Sequence, residues 1–164
     1  MKFYIKSLYP EDEKKNGLER ESGIIEDPIE LAWSDNLQKY NFVWTEEERP
    51  AKVFLSDKFI LILFYKDSPN NFYPNNLIIY NLKKEIIKVI PPPKSINWNK
   101  ISTVYSIGEI KEIDGEDYIA TYVDTDNYFS KEKGVIGFVE IRWLNLKTFE
   151  YHPTEHSLIK DYGR

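Results

Sequence analysis

The run "FILILFY", Phe59 to Tyr65, is the stretch that most restricts how this chain folds. A strand with one wet face alternates apolar and polar residues; this one has no polar face to offer, so it reads as a strand buried on both sides. Seven residues are also far too few to cross a bilayer, which takes about twenty in a helix.

Other strand patterns surround it. "KFYIKSLY" alternates well enough for a first strand, ended by Pro10 and the solvated run "EDEKKNGLERE", a loop or short irregular turn. "FVWTEEE" and "AKVFLS" lead through a tight turn at Asp57-Lys58 into the buried run, and "NNLIIYNL" and "EIIKVI" follow as a hairpin. The hairpin stops at Pro91, Pro92 and Pro93, which supply no backbone donors and mark a rigid extended crossing between sheet units. "EDPIELAWSDNLQKY" has two readings. As a helix, Asp27 caps it, Pro28 takes the first helical position, and Ile29, Trp33, Leu37 and Tyr40 share one face. Its rival is an extended segment whose aromatics plug the edge of a sheet.

The second half repeats the plan. "STVYSIGEIKEI" ends at an Asp114-Gly115 turn, "EDYIATYVD" is the next strand, a polar loop spans "TDNYFSKEKG", and "VIGFVEIRWLNLKTFEYH" closes as a hairpin. Phe59 lines up with Tyr118, and Asn81-Leu82-Lys83 with Asn145-Leu146-Lys147. The expected fold is a single all-β domain: a mainly antiparallel meander of two units in one curled sheet or a sandwich, with at most one or two short helices. An N-terminal strand and the helix candidate occupy 1–41, the first unit 42–90, the second unit 101–152, and a C-terminal tail 153–164. On the matched landmarks, each unit resembles one blade of a β-propeller, with the Asn-Leu-Lys turn joining the two outer strands. Two blades cannot close a ring.

The chain lacks cysteine, which removes disulfides, thiolate nucleophiles and Cys-based metal sites. A net charge of -5 does not attract a phosphate backbone, so no nucleic-acid partner is expected. No segment reads as a signal peptide or membrane span, which points to a cytoplasmic protein. No nucleophile elbow, phosphate-binding loop or dinucleotide fingerprint occurs.

Chemistry concentrates in two places. "EYHPTEH" sets His152 and His156 four apart, a zinc-binding spacing on a helix; Pro153 disfavours that helix, and on a strand the pair would stand about 13 Å apart. A metal-dependent sugar- or nucleotide-binding or hydrolytic site using His152, His156 and nearby carboxylates is therefore the alternative, not the leading reading. "DTDNYFSKEKG" fails as a calcium loop, with Tyr128 fifth and Phe129 sixth. No catalytic, metal or cofactor site is assigned.

The leading reading takes Glu112, Glu116, Asp124 and Asp126 as an acidic rim, flanked by aromatic anchors in the matching loops, Phe72 and Tyr73, Tyr128 and Phe129. Such a rim steers a basic protein partner, while aromatics supply binding energy. In size, acidity, lack of cysteine, aromatic loops and β-rich character the chain resembles bacterial immunity proteins. That resemblance implies a non-enzymatic blocker covering the basic cleft of a nuclease-like toxin. A third reading is a structural subunit that pairs with another copy.

Overall fold

The computed structural model describes residues 1–8, 18–20, 22–69, 74–96, 103–129 and 136–161, with the backbone alone at 18–20, 125–129, 136–137 and 160–161. Among the described residues there are thirteen β-strands and no helix; the strands form three antiparallel sheets that do not close into a barrel. The chain divides into two compact units, 1–90 and 91–164, parted at the triple proline.

The first unit contains β1 (Phe3–Ser7), β2 (Leu18–Arg20), β3 (Gly23–Glu26), β4 (Pro28–Ser34), β5 (Lys39–Val43), β6 (Pro50–Leu55), β7 (Phe59–Phe64), β8 (Leu77–Asn81) and β9 (Ile86–Ile90). They make two sheets, ordered β2-β1-β4-β5 and β3-β6-β7-β8-β9. β7 occupies the middle of the larger sheet and all six of its residues are buried, as its composition requires. Phe3, Leu31 and Trp33 from one sheet share a core with Val53, Leu55, Ile60 and Ile62 from the other. The chain changes sheets at Asp27, whose φ of 45° is a left-handed conformation uncommon outside glycine. Several bonds hold it there. Its N–H donates to the Ala51 carbonyl at 3.0 Å, its carbonyl accepts from Leu8 N–H at 3.2 Å, and its carboxylate receives Arg49 Nε at 3.1 Å and the Tyr65 hydroxyl.

The helix candidate over 27–40 is instead this corner followed by the β4–β5 hairpin, so the extended alternative is the one realised. The Asp35 carboxylate accepts the Leu37 and Gln38 amides, both at 2.8 Å, and closes a turn where a helix would have continued. Those two bonds hold the Asp35 carboxyl below its ordinary value. Leu37, which the helical pattern placed inside, is 93 % exposed on that turn. The inward residues follow a period of two instead: Trp33 stacks on Tyr40 at 5.6 Å, Phe42 stacks on Trp44 at 5.3 Å, and Phe42 meets Tyr80 edge-on at 5.0 Å. Trp33 Nε1–H donates to the Leu82 carbonyl at 2.9 Å, tying the smaller sheet to the β8–β9 turn.

The second unit is a four-stranded meander of β10 (Thr103–Ile113), β11 (Glu116–Phe129), β12 (Ile136–Asn145) and β13 (Tyr151–Asp161), in that spatial order. β6 to β9 run as an equivalent meander. Phe59 faces Asn81 as Tyr118 faces Asn145. Asn81 Oδ1 accepts the amides of Lys83 and Glu85 at 2.9 Å each; Asn145 Oδ1 accepts those of Lys147 at 2.8 Å and Thr148 at 2.9 Å. Each Asn therefore closes its turn with its side chain, followed by a left-handed residue, Lys84 or Phe149. The two meanders lie in separate sheets, not one curled sheet. The strand expected to end at Asp124, with a polar loop from Thr125, instead continues through Phe129, which pairs with Ile136. The C-terminal tail expected from residue 153 is also corrected: β13 runs on to Asp161 against Gly137.

Replacing Trp33 by Ala should lower unfolding stability by about 3–5 kcal/mol, read from urea melts. Trp33→Phe keeps most of the apolar burial but leaves the Leu82 carbonyl unpaired, and should lose only about 1–3 kcal/mol.

Candidate functional site

Glu112 and Glu116 flank the tip of the β10–β11 hairpin. Asp114 (φ 52°) and Gly115 (φ 82°) form its two-residue turn, with the consecutive left-handed residues that match strand twist. Asn145 Nδ2 donates to Glu116 Oε2 at 2.8 Å, and Leu146 N–H donates to the Asp117 carbonyl at 2.9 Å. These bonds lock the β10–β11 tip beside the β12–β13 turn. At this end of the unit Glu112, Asp114, Glu116, Asp117, Glu150 and Glu155 gather against Lys111 and Lys147.

Asp124 lies elsewhere. It follows Glu116 by eight residues on the same strand, about 26 Å away by strand rise, opposite Thr103 and Val139. Asp126 continues in that direction through a bulge, and Tyr128 and Phe129 follow on the strand, paired with Gly137 and Ile136. The structure thus brings Glu112 and Glu116 together and sets Asp124, Asp126, Tyr128 and Phe129 toward the opposite end. Phe72 and Tyr73 lie outside the described residues.

The histidines sit in β13. Tyr151 faces Leu144 and His156 faces Arg142, so His152 to Glu155 form a wide bulge opposite the single residue Trp143. Pro153 is accommodated in this bulge, where the strand needs no ladder donor. His152 Nδ1 accepts the amides of Thr154 at 3.2 Å and Glu155 at 2.9 Å. In the neutral ring that leaves the proton on Nε2, which faces Asp114 Oδ2 at 3.9 Å, while the ring meets Tyr118 edge-on at 5.3 Å. Nδ1 is therefore committed to the bulge backbone, while Nε2 makes only a long approach to the exposed Asp114 carboxylate. His156 has the other arrangement, its Nδ1 donating to the Thr154 carbonyl at 2.7 Å. Among the described residues no group of three or more His, Asp or Glu is placed to hold a metal. Glu155, at the far side of the bulge, pairs with Lys111 Nζ at 3.1 Å, and that ammonium lies 4.9 Å from the centre of the Trp143 ring.

One polar cluster had no signal in the sequence. Glu140 is fully buried on β12, where Ser95 Oγ donates to it at 2.6 Å and Arg142 Nη1 stands 3.7 Å away. Arg142 Nη1 also donates to the Lys94 carbonyl at 2.7 Å. Together these fasten the segment that follows the triple proline onto the core face of β12, the face shared by Thr121 and Val123. A Glu-x-Arg spacing inside an alternating strand looks like an exposed polar face, so the pattern itself hid this role. Arg142 also lies over the Tyr151 ring at 5.9 Å. Burial raises the Tyr151 hydroxyl far above the usual phenol range, outweighing the opposite pull of the Arg142 charge and of the nearby Thr121 hydroxyl, with which it makes no well-formed hydrogen bond.

No protein-family model, curated protein or solved structure matches the chain.

His152→Ala, which strips two amides of their acceptor, should destabilise the protein by about 1–3 kcal/mol. His152→Asn, with an acceptor oxygen near the Nδ1 position, should recover most of that loss in thermal melts. The raised Tyr151 group gives a pH test. Above its ordinary value of 10.0 the unfolded chain releases this proton while the folded chain keeps it, so stability falls as pH rises past that point. Tyr151→Phe should flatten the alkaline limb of a stability profile recorded from pH 8 to about 11.

Proposed function

We propose that the chain is a non-enzymatic, cytoplasmic protein-binding module that docks its acidic end on a basic surface of another protein, as an immunity protein does. The observation that carries this reading is the preorganisation of the carboxylates at the joined tips of the second unit. Glu116 is held by Asn145, and the left-handed turn fixes the backbone that carries Asp114, so part of the charge is presented with reduced ordering cost on binding. The absence of cysteine suits a reducing compartment. In the first unit Glu46, Glu47 and Asp67 line an open cleft of about 460 Å³ together with Tyr65 and with Arg49, which pairs with Asp27. Charge complementarity of this kind acts mainly on encounter rate and orientation.

Immobilised protein should capture a basic partner from its native source, with an association rate that falls by about tenfold or more between low and high salt. The triple variant Glu112→Lys, Asp117→Lys, Glu150→Lys changes exposed positions only and should lose that capture. Equal capture by wild type and the reversed variant would sink the proposal.

A further inference from the structure

Both histidines of the chain bond the backbone of the β13 bulge, His152 from within it and His156 from the position where pairing resumes. Their Nδ1 atoms play opposite parts. His152 Nδ1 accepts the amides of Thr154 and Glu155, and a ring nitrogen that accepts from N–H groups carries no proton of its own. His156 Nδ1 meets the Thr154 carbonyl, and so carries one. Adding a proton to each ring therefore has different consequences. As an imidazolium, His156 keeps the Nδ1–H that makes its bond. As an imidazolium, His152 puts an N–H where two others already point, and the three donors have no acceptor among them.

We infer that His152 is a proton-operated latch: the neutral ring closes the β13 bulge, and the protonated ring releases it toward Asp114. The His152 side chain is only 13 % exposed, so a charged ring left in place would face two amide donors with little water to hydrate it. Nε2 points the other way, 3.9 Å from Asp114 Oδ2, a carboxylate that is 92 % exposed and carried on the left-handed turn of the hairpin tip. Turning the ring toward that tip shortens the approach to a charge-assisted hydrogen bond and frees both amides to water. Each charge state thus has its own partner. From β11 the ring meets Tyr118 edge-on at 5.3 Å. From β10 comes Lys111, whose ammonium pairs with Glu155 at 3.1 Å and rests over Trp143. The β12–β13 turn brings Glu150, and Lys147 with its partner Glu116 at 4.0 Å. Carboxylates outnumber the two ammonium groups at this end, so a cationic ring is drawn out of the bulge toward them. Glu155 supplies one of the latched amides and also the side chain that holds Lys111, so opening reaches the Lys111–Trp143 contact. The latch rests on the bulge geometry alone, independently of what the acidic end binds.

Ring-nitrogen and amide NMR signals of the full chain, followed together from about pH 8 to about pH 5, test the latch; that span covers ordinary histidine titration and stays above the ordinary carboxylate range. At the alkaline end the His152 ring should report a bare Nδ1 and a protonated Nε2, and the His156 ring the reverse. On acidification the Thr154 and Glu155 amides should shift in step with the His152 ring. Their protection against hydrogen exchange, corrected for the intrinsic rate at each pH, should fall by about tenfold or more. In His152→Asn, which keeps an acceptor and cannot take up the proton, both amides should hold still across the same span; in His156→Gln the response should persist. A protonated Nδ1 on His152 at the alkaline end, or a ring that takes up no proton by the acidic end, would overturn the inference. So would full protection of both amides once the ring is charged, an undiminished response in His152→Asn, or its loss in His156→Gln.

Discussion

Two-sided burial of β7 is the condition that the first unit is built to satisfy. Uncovering either face of the strand exposes three large apolar side chains at about 1.5–3 kcal/mol each, a total comparable to the whole stability of a small domain. No rearrangement of surface residues offsets a loss of that size. The strand therefore takes the middle of five, and the N-terminal segment supplies a second sheet whose Phe3, Leu31 and Trp33 cover the side carrying Ile60 and Ile62. The strained corner at Asp27 follows from the same need, because the chain has to leave one layer and enter the other between β3 and β4. Its bonds to Arg49, Tyr65 and Ala51 compensate a conformation that an aspartate would not otherwise hold.

Much of this was legible in the residues. Strand character, the turns at Asp57-Lys58 and Asp114-Gly115, the break at the prolines and the likeness between the Asn81 and Asn145 turns all rest on local chemistry, which a sequence displays directly. Residues 27–40 were ambiguous for a physical reason. Ile29, Trp33, Leu37 and Tyr40 fit a helical face, and only the cross-strand partners of Trp33 and Phe42 decide for the hairpin. The extent of β11 and β13 was underestimated because polar residues and Pro153 weaken a strand pattern, whereas a bulged pairing tolerates both.

The site was less legible than the fold. Acidity along a strand says nothing about which end each acid occupies, and eight residues of extended chain separate Glu116 from Asp124 by more than the width of most binding hot spots. Glu140 and Arg142 are a harder case still. Their burial depends on Ser95 and Lys94, some 45 residues earlier, and no periodicity announces a contact of that range. Such a pair contributes less to net stability than to fixing where the connecting segment lies, because the cost of removing two charges from water offsets much of their attraction.

The two meanders differ in how the ladder of the last strand is interrupted. In β9 a single residue, Ile87, is extra between the pairs Tyr80–Ile86 and Ile79–Lys88; in β13 four residues, His152 to Glu155, stand opposite the single Trp143, a surplus of three. Pairing resumes beyond the interruption in both cases. Chain length at this point is thus decoupled from strand register, so residues can be gained or lost there without turning the following side chains to the wrong face. In this molecule that interruption holds His152, and His156 is the residue at which pairing resumes.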